Sequence, residues 1–152
     1  MSDIITLRTA VPNDATAIRD LTRAAYAKWV PLIGREPKPM LADYEAAVRQ
    51  HRFDLLCVAG ELAALIETID QGDKLLVENV AVSPDHQGRG LGTRLMAQAE
   101  SVARGLGHGR IWLYTNQRFE ENIRLYSRLG YRIDGEEPIG DAVRVNMSKD
   151  LA

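Results

Sequence analysis

"SPDHQGRGLGTRLMAQAE", Ser83 to Glu100, is the stretch from which the fold is read. Three glycines sit at alternate positions in it, Gly88, Gly90 and Gly92, and an apolar stripe of helical spacing begins at Leu91. Glycine weakens a helix, so a helix opened by so little side chain needs a reason. The first turn of any helix carries N–H groups without intrahelical partners, and the helix dipole makes that end positive. Removing Cβ atoms there lets an anion approach the backbone. Arg89 adds a fixed positive charge on the same turn. The stretch therefore reads as a phosphate or pyrophosphate cradle. A plain tight connection is the competing reading, but a turn needs one special backbone angle, not three spaced glycines and an arginine.

Two common phosphate loops fail on residues. A P-loop ends in Gly-Lys-Ser/Thr, and no such run occurs. A dinucleotide fingerprint starting at Gly88 needs glycine where Thr93 stands. The ribose-binding acid expected about twenty residues on is also missing from "RIWLYTN".

Working outward, "IITLRTA" (Ile4 to Ala10) predicts a first strand. Pro12, Asn13 and Asp14 then start a helix with Ile18, Leu21, Ala25 and Trp29 in one row. "VPLIGREPKPM" breaks it with three prolines and a glycine, and "LADYEAAVRQH" resumes a shorter helix with Leu41, Tyr44 and Val48 on one face. "FDLLCVA", "ELAALIETI" and "KLLVENVAV" follow as strands, and connections this short favour an antiparallel meander. The helix from Leu91 to about Leu106 comes next, then "RIWLYTN" as a strand. Strand, helix, strand spells a right-handed crossover, so the flanking strands should be parallel. "FEENIRLYSRLG" is a helix closed by Gly130, and "YRIDGEE" and "AVRVNMSK" finish as strands. The expectation is an α/β domain: a mixed, mostly antiparallel sheet of six or seven strands with one parallel pair, and about four helices, all in one unit over 1–152.

The segment Gln87 to Gly92 fits Gln/Arg-x-x-Gly-x-Gly/Ala, and "ENVAVSPDHQGRGLG" supplies strand, loop and helix around it. Later, "ENIRLYSRLGYRI" carries Asn122, then Leu125-Tyr126, then Gly130 and Tyr131. With one helix and one strand between these motifs, the chain resembles the GCN5-related N-acetyltransferase (GNAT) superfamily over roughly residues 53 to 148. That resemblance implies acetyl-CoA as co-substrate, with no metal. It places the pyrophosphate at Gln87, Gly88, Arg89, Gly90, Leu91, Gly92 and Thr93. It implies a sheet that splays after the preceding strand, so that the pantetheine arm pairs with backbone of Val80, Ala81 and Val82. Val80 N–H is the candidate oxyanion donor. Asn122 is the candidate pantetheine ligand, unless it is a solvent-facing helix residue.

Acetyl transfer to an amine needs a proton for the departing thiolate and a neutral amine. Tyr126 is the candidate general acid, because a tyrosine near pKa 10 stays protonated at neutral pH. It also lies in an apolar stripe with Phe119 and Ile123, which is how a core aromatic looks. Glu78 is the candidate base. Strand alternation puts it on the face of Val80 and Val82, although a salt-bridged strand residue looks the same. The acceptor side is assigned by resemblance to Tyr26, Trp29, Arg35, Glu36 and Tyr44, with helix core as the other reading of Trp29 and Tyr44. His86 reads as a solvated loop residue. His51 and His108 show no sequence clustering with acids or cysteine that suggests a metal site.

Bulk composition narrows the classes. In 152 residues, 45% are hydrophobic and 26% charged, ordinary globular values, and the net charge is −2. The absence of a basic surplus argues against general nucleic-acid binding. No apolar run reaches the length of a membrane span, and the start lacks a basic n-region with an apolar h-region. Cys57, the single cysteine, sits in an apolar run as a small core residue and suits a reducing compartment. The expected protein is a cytoplasmic N-acetyltransferase. Its partner is a small-molecule or peptide amine, not nucleic acid or membrane. The final strands are candidate homodimer contacts, and a non-catalytic acyl-CoA sensor is the alternative.

Overall fold

The computed structural model describes residues 4–152. Seven strands make one sheet: β1 Ile5–Thr9, β2 Arg52–Val58, β3 Glu61–Asp70, β4 Leu75–Val82, β5 Arg110–Asn116, β6 Arg132–Ile139 and β7 Ala142–Asp150. Their order is β1-β2-β3-β4-β5-β7-β6. Every neighbouring pair is antiparallel except β4 and β5, as the crossover requires. Those two strands pair over only Leu75↔Ile111, Leu76↔Trp112 and Val77↔Leu113, and beyond that they separate.

Four helices exceed a single turn: α1 Ala15–Tyr26, α4 Tyr44–Gln50, α5 Leu91–Gly105 and α6 Glu120–Arg128. The proline segment is not wholly irregular. It folds two one-turn helices, α2 Val30–Ile33 and α3 Lys38–Leu41, each with proline in its first turn, where a missing N–H costs nothing. Asp43 starts α4 by accepting from the N–H groups of Glu45 and Ala46. This displaces Leu41 from the expected α4 face: it ends α3 instead and is 67% exposed.

The sheet separates two cores. On one face, Leu95, Met96 and Ala99 of α5 and Tyr126 of α6 pack over Ile66, Val77, Leu113 and Met147. On the other, Ile18, Leu21 and Ala25 of α1 and Tyr44, Ala47 and Val48 of α4 pack over Phe53, Leu55, Leu65 and Ala81. The α5 stripe runs as its periodicity predicts up to Ala103, but Leu106 lies past the helix end and is 47% exposed. Trp29 stacks on Phe119 with ring centroids 4.4 Å apart, so the end of the α1 segment meets the start of α6. Lys149 Nζ and Tyr131 Oη both donate to Glu100, at 3.0 and 3.2 Å, tying β7 and the start of β6 to α5.

No helix among the described residues is long and apolar enough to cross a membrane. Leu95 is fully buried, so Leu95→Ala should lower unfolding stability by about 3 kcal/mol, read as a shift in denaturation midpoint at constant slope.

Candidate active site

The glycine loop forms as its composition suggests. Gly88 and Gly90 have φ of +79° and +77°, a conformation that side chains resist. Gly90 is the N-cap of α5, and the first intrahelical bond runs from Arg94 N–H to Gly90 O. The N–H groups of Leu91, Gly92 and Thr93 precede that bond and are free of it. No acidic residue occupies the first turn to neutralise them, and Arg89 is exposed beside them. A Cβ at Gly92 would meet Leu125 Cδ2 at 3.9 Å and Val82 Cγ2 at 4.0 Å, which is ordinary contact. Protein packing alone therefore does not demand glycine there.

The side chains around the loop take distinct places. Leu91 is a core side chain, 3% exposed, so only its backbone can face the cradle. Gln87 turns back, and its Nε2 donates to Val82 O at 3.2 Å, fixing the loop to the end of β4. His86 is half-buried rather than solvated, and its Nδ1 is enclosed without a partner.

Beyond Val77, the β5 side of β4 has no strand partner. Ser83 N–H donates to Ala63 O at 2.8 Å, so the groups of Ser83, and by alternation those of Ala81, face β3. The backbone groups of Val80 and Val82 then face the open edge. Tyr26 Oη, whose single proton is shared with the nearer Asn79 Oδ1, stands 3.3 Å from Val80 O, and Gln87 reaches Val82 O, as expected of carbonyls that β3 does not use. Of the three residues expected to present backbone to a ligand, Val80 and Val82 have their backbone groups on the open edge, whereas those of Ala81 are turned to β3.

The placement of Glu78 differs from expectation. Glu67 pairs with Asn79 while Thr68 pairs with Val77, so Glu78 is the extra residue of a β-bulge. Alternation is broken there. Val80 and Val82 pack toward α5, whereas Glu78 turns to the α1 face and accepts from Tyr114 Oη at 2.7 Å. Tyr114 follows Leu113, the last β5 residue paired with β4, so this hydrogen bond lies at the apex of the splay. The same face holds Asn79, 3% exposed, which accepts from Tyr26 Oη at 2.9 Å and donates to Thr22 Oγ1 and Tyr44 Oη, each at 3.4 Å. It also holds Glu67, 4% exposed, with Oε2 at 2.6 Å from His51 Nδ1. Reading from sequence missed Glu67, Asn79 and Tyr114. The available signal was a polar residue standing inside the apolar runs "ELAALIETI" and "KLLVENVAV". His51 and His108 do have acidic partners, Glu67 and Asp70, sixteen and thirty-eight residues away in sequence.

Tyr126 is buried against Tyr131, with rings 6.2 Å apart and edge-on. Burial alone pushes its hydroxyl up to about 12, so it holds its proton at neutral pH. Tyr26 is likewise raised by burial, with the Tyr126 and Tyr44 hydroxyls adding to the effect. Asn122 is half-buried on α6. Tyr44 is chiefly a core residue, edge-on to Phe53 with its hydroxyl on Pro39 O at 2.6 Å. Arg35 reaches Asp141 at 2.7 Å, joining the α2–α3 loop to the β6–β7 turn over a cleft of about 210 Å³ that Asn116 and Arg118 also line. Glu36 lies 3.4 Å from Arg23.

Residues 16–131 match the sequence profile described as the Acetyltransferase (GNAT) family. A streptothricin acetyltransferase from Streptomyces lavendulae is 33% identical over 78 residues, 50% of this chain and 41% of that protein. The mouse (Mus musculus) N-alpha-acetyltransferase 80 is 39% identical over 77 residues, 51% of this chain and 23% of that protein. The chain thus spans less than half the length of these curated relatives. The PaiA N-acetyltransferase from Thermoplasma acidophilum, solved with coenzyme A, superposes with a TM-score of 0.78 at 15% identity, covering 97% of this chain and 99% of that one.

All five tyrosines are held above the ordinary tyrosine value, burial being the first cause in each. Unfolded tyrosines lose their protons near pH 10, so above that pH the unfolded state binds fewer protons than the folded one. Stability contributed by these groups is complete below pH 10 and is lost as pH rises. A calorimetric pH series should show the melting temperature falling steeply above pH 10, and replacing Tyr126 with Phe should make that fall shallower.

Proposed function

This chain belongs to the acetyltransferase (GNAT) family, and on that premise we propose that it transfers an acetyl group from acetyl-CoA to the primary amine of a small molecule or peptide, by direct attack. The observation that carries the reading is the open edge of β4 at Val80 and Val82, running straight into the bare N-terminus of α5. Those features fit coenzyme A. The open space at Gly88 and Gly90 and the free N–H groups of the first α5 turn suit a diphosphate, and an open strand edge suits an amide-rich arm.

The chain's own residues have distinct tasks in this reading. Gly88, Gly90 and the N–H groups of Leu91, Gly92 and Thr93 hold the diphosphate, with Arg89 supplying charge. Val80 N–H faces the carbonyl oxygen as negative charge develops there. Asn122 binds the pantetheine arm. Tyr126 gives its proton to the departing sulfur, for which a hydroxyl still protonated at neutral pH is required. Glu78 takes the proton of the arriving amine at the apex of the splay. The cleft between Arg35, Arg118 and Asp141 is the acceptor entrance. Cys57 is half-buried rather than a core residue, paired with Thr6 and Leu62 in β2, two strands from the open edge of β4, which supports direct transfer over an acyl-enzyme.

In this reading the 152 residues form one catalytic unit in the cytoplasm, and the lone Cys57 is consistent with a reducing compartment. The edge strand β6, with Ile133 and Ile139 each 52% exposed, is the surface available for a homodimer.

Calorimetry should show binding of acetyl-CoA but not of ATP or NAD, and an amine panel should release free coenzyme A thiol. Tyr126→Phe should slow turnover by about a hundredfold and leave acetyl-CoA affinity nearly intact. An unchanged rate removes Tyr126 from the mechanism, and thiol release with no amine in the panel removes the transfer reaction.

A further inference from the structure

One buried titratable pair faces the splay and has no role in the reading above. Glu67 stands in the middle of β3, and His51, at the end of α4, meets its Oε2 at 2.6 Å while keeping 26% of its own side chain in solvent. Across the ladder, Glu67 opposes Asn79, and the bulge sets Glu78 next to that partner on the same face. Side chains opposed on one face of an antiparallel pair stand about 5 Å apart at Cβ. Glu78, Glu67 and His51 thus form a row from the apex of the splay to the surface. Stability is a weak reason for such a row. A carboxylate among Phe53, Tyr44 and Leu65 loses its hydration, and an apolar residue in its place is often neutral or better.

The geometry points to a proton-exit relay in which Glu67 and His51 carry to solvent the proton that Glu78 takes from the acceptor amine. The inference rests on the acetyltransferase reading. An acceptor arriving as ammonium breaks one N–H bond as Glu78 forms an O–H bond at the oxygen that Tyr114 does not occupy. The proton passes to Glu67, directly or across water, and from Glu67 Oε2 to His51 Nδ1. The imidazole then releases a proton from Nε2. Both carboxylates return to their charged form, and His51, left neutral with its proton on Nδ1, exchanges protons with solvent to regain Nε2–H and open Nδ1 for the next cycle. The second proton lost by the nitrogen replaces the one that Tyr126 gives to sulfur, so one proton leaves per turnover.

The groups around Glu67 suit this. Tyr26 from α1, Tyr44 from α4 and Tyr114 from β5 all hold their protons more tightly than usual. Only His51 and Glu78 are left to exchange charge with Glu67. Burial raises Glu67 above the usual carboxylate range, His51 opposes that rise and Glu78 adds to it. A carboxyl so placed accepts a proton more readily than one in water, which a relay member must do.

Two measurements on the full chain test the relay. The first is the pH dependence of kcat and kcat/KM, with the best amine of the panel, for the wild type, Glu67→Gln, Glu67→Asp and His51→Gln. Glu67→Gln should lower kcat by about tenfold to a hundredfold and displace the acid limb, with acetyl-CoA affinity and melting temperature preserved. Glu67→Asp should recover part of the rate, and His51→Gln should displace the same limb. The second follows the His51 ring nitrogens by NMR against pH in the free protein, without cofactor or acceptor. Glu78→Gln should move the His51 midpoint downward, because one negative charge has left the row. A wild-type pH profile in Glu67→Gln, or a His51 titration indifferent to Glu78→Gln, overturns the relay. Failure to bind acetyl-CoA overturns the acetyltransferase reading instead, and the NMR measurement still decides whether the three groups are linked.

Discussion

Past Val77 and Leu113, β4 and β5 exchange no further strand pairing, and the amides of Val80 and Val82 are left facing a gap inside the sheet. Backbone groups without partners are costly wherever water is excluded, by about 1–3 kcal/mol each. The protein meets that demand only in part, with Tyr26 on one carbonyl and Gln87 on the next. The glycine turn follows at the end of the same strand, so the gap and the cradle form one continuous track. The parallel direction of β5 follows from the α5 crossover, and α5 brings its own dipole to the mouth of the track.

The bulge at Glu78 gives the opposite face its character. Val77 faces α5 and Glu78 follows it onto the opposite face; the inserted residue keeps Asn79 on that face too before Val80 returns to the α5 side. With it, two carboxylates, an asparagine and three tyrosine hydroxyls gather beneath α1 and α4. That layer is polar inside a fold otherwise sealed by apolar contact. Such a layer is tolerated because most of its members are paired: Asn79 alone engages Tyr26, Thr22 and Tyr44. Bulges beside sites commonly re-aim one side chain, and here it is the one at the apex.

How much was legible in the sequence follows from the range of the interactions. The glycine turn, α5 and the meander of β2 to β4 depend on local periodicity and turn chemistry, and they formed as read. The sheet order past β5 did not follow from pattern alone, since β7 inserts between β5 and β6. The face of Glu78 was misread because alternation holds only while the register does, and the register shift arises from packing against β3. Glu67 and His51 lie sixteen positions apart with nothing between them to suggest contact. Asn79 looked like one polar residue in a strand, and its three partners come from α1 and α4. Ala81 and Leu91 fell inside the right motif, but their polar groups and side chain, respectively, are spent on the fold.

Mechanically, the sheet behaves as two plates joined along a short seam. β1 to β4 form one plate and β5 to β7 the other, with three residue pairs holding the strands that meet. Filling the gap above the seam with an extended ligand lengthens the join by the span of that ligand. Occupancy should therefore be felt as added stiffness against shear between the plates.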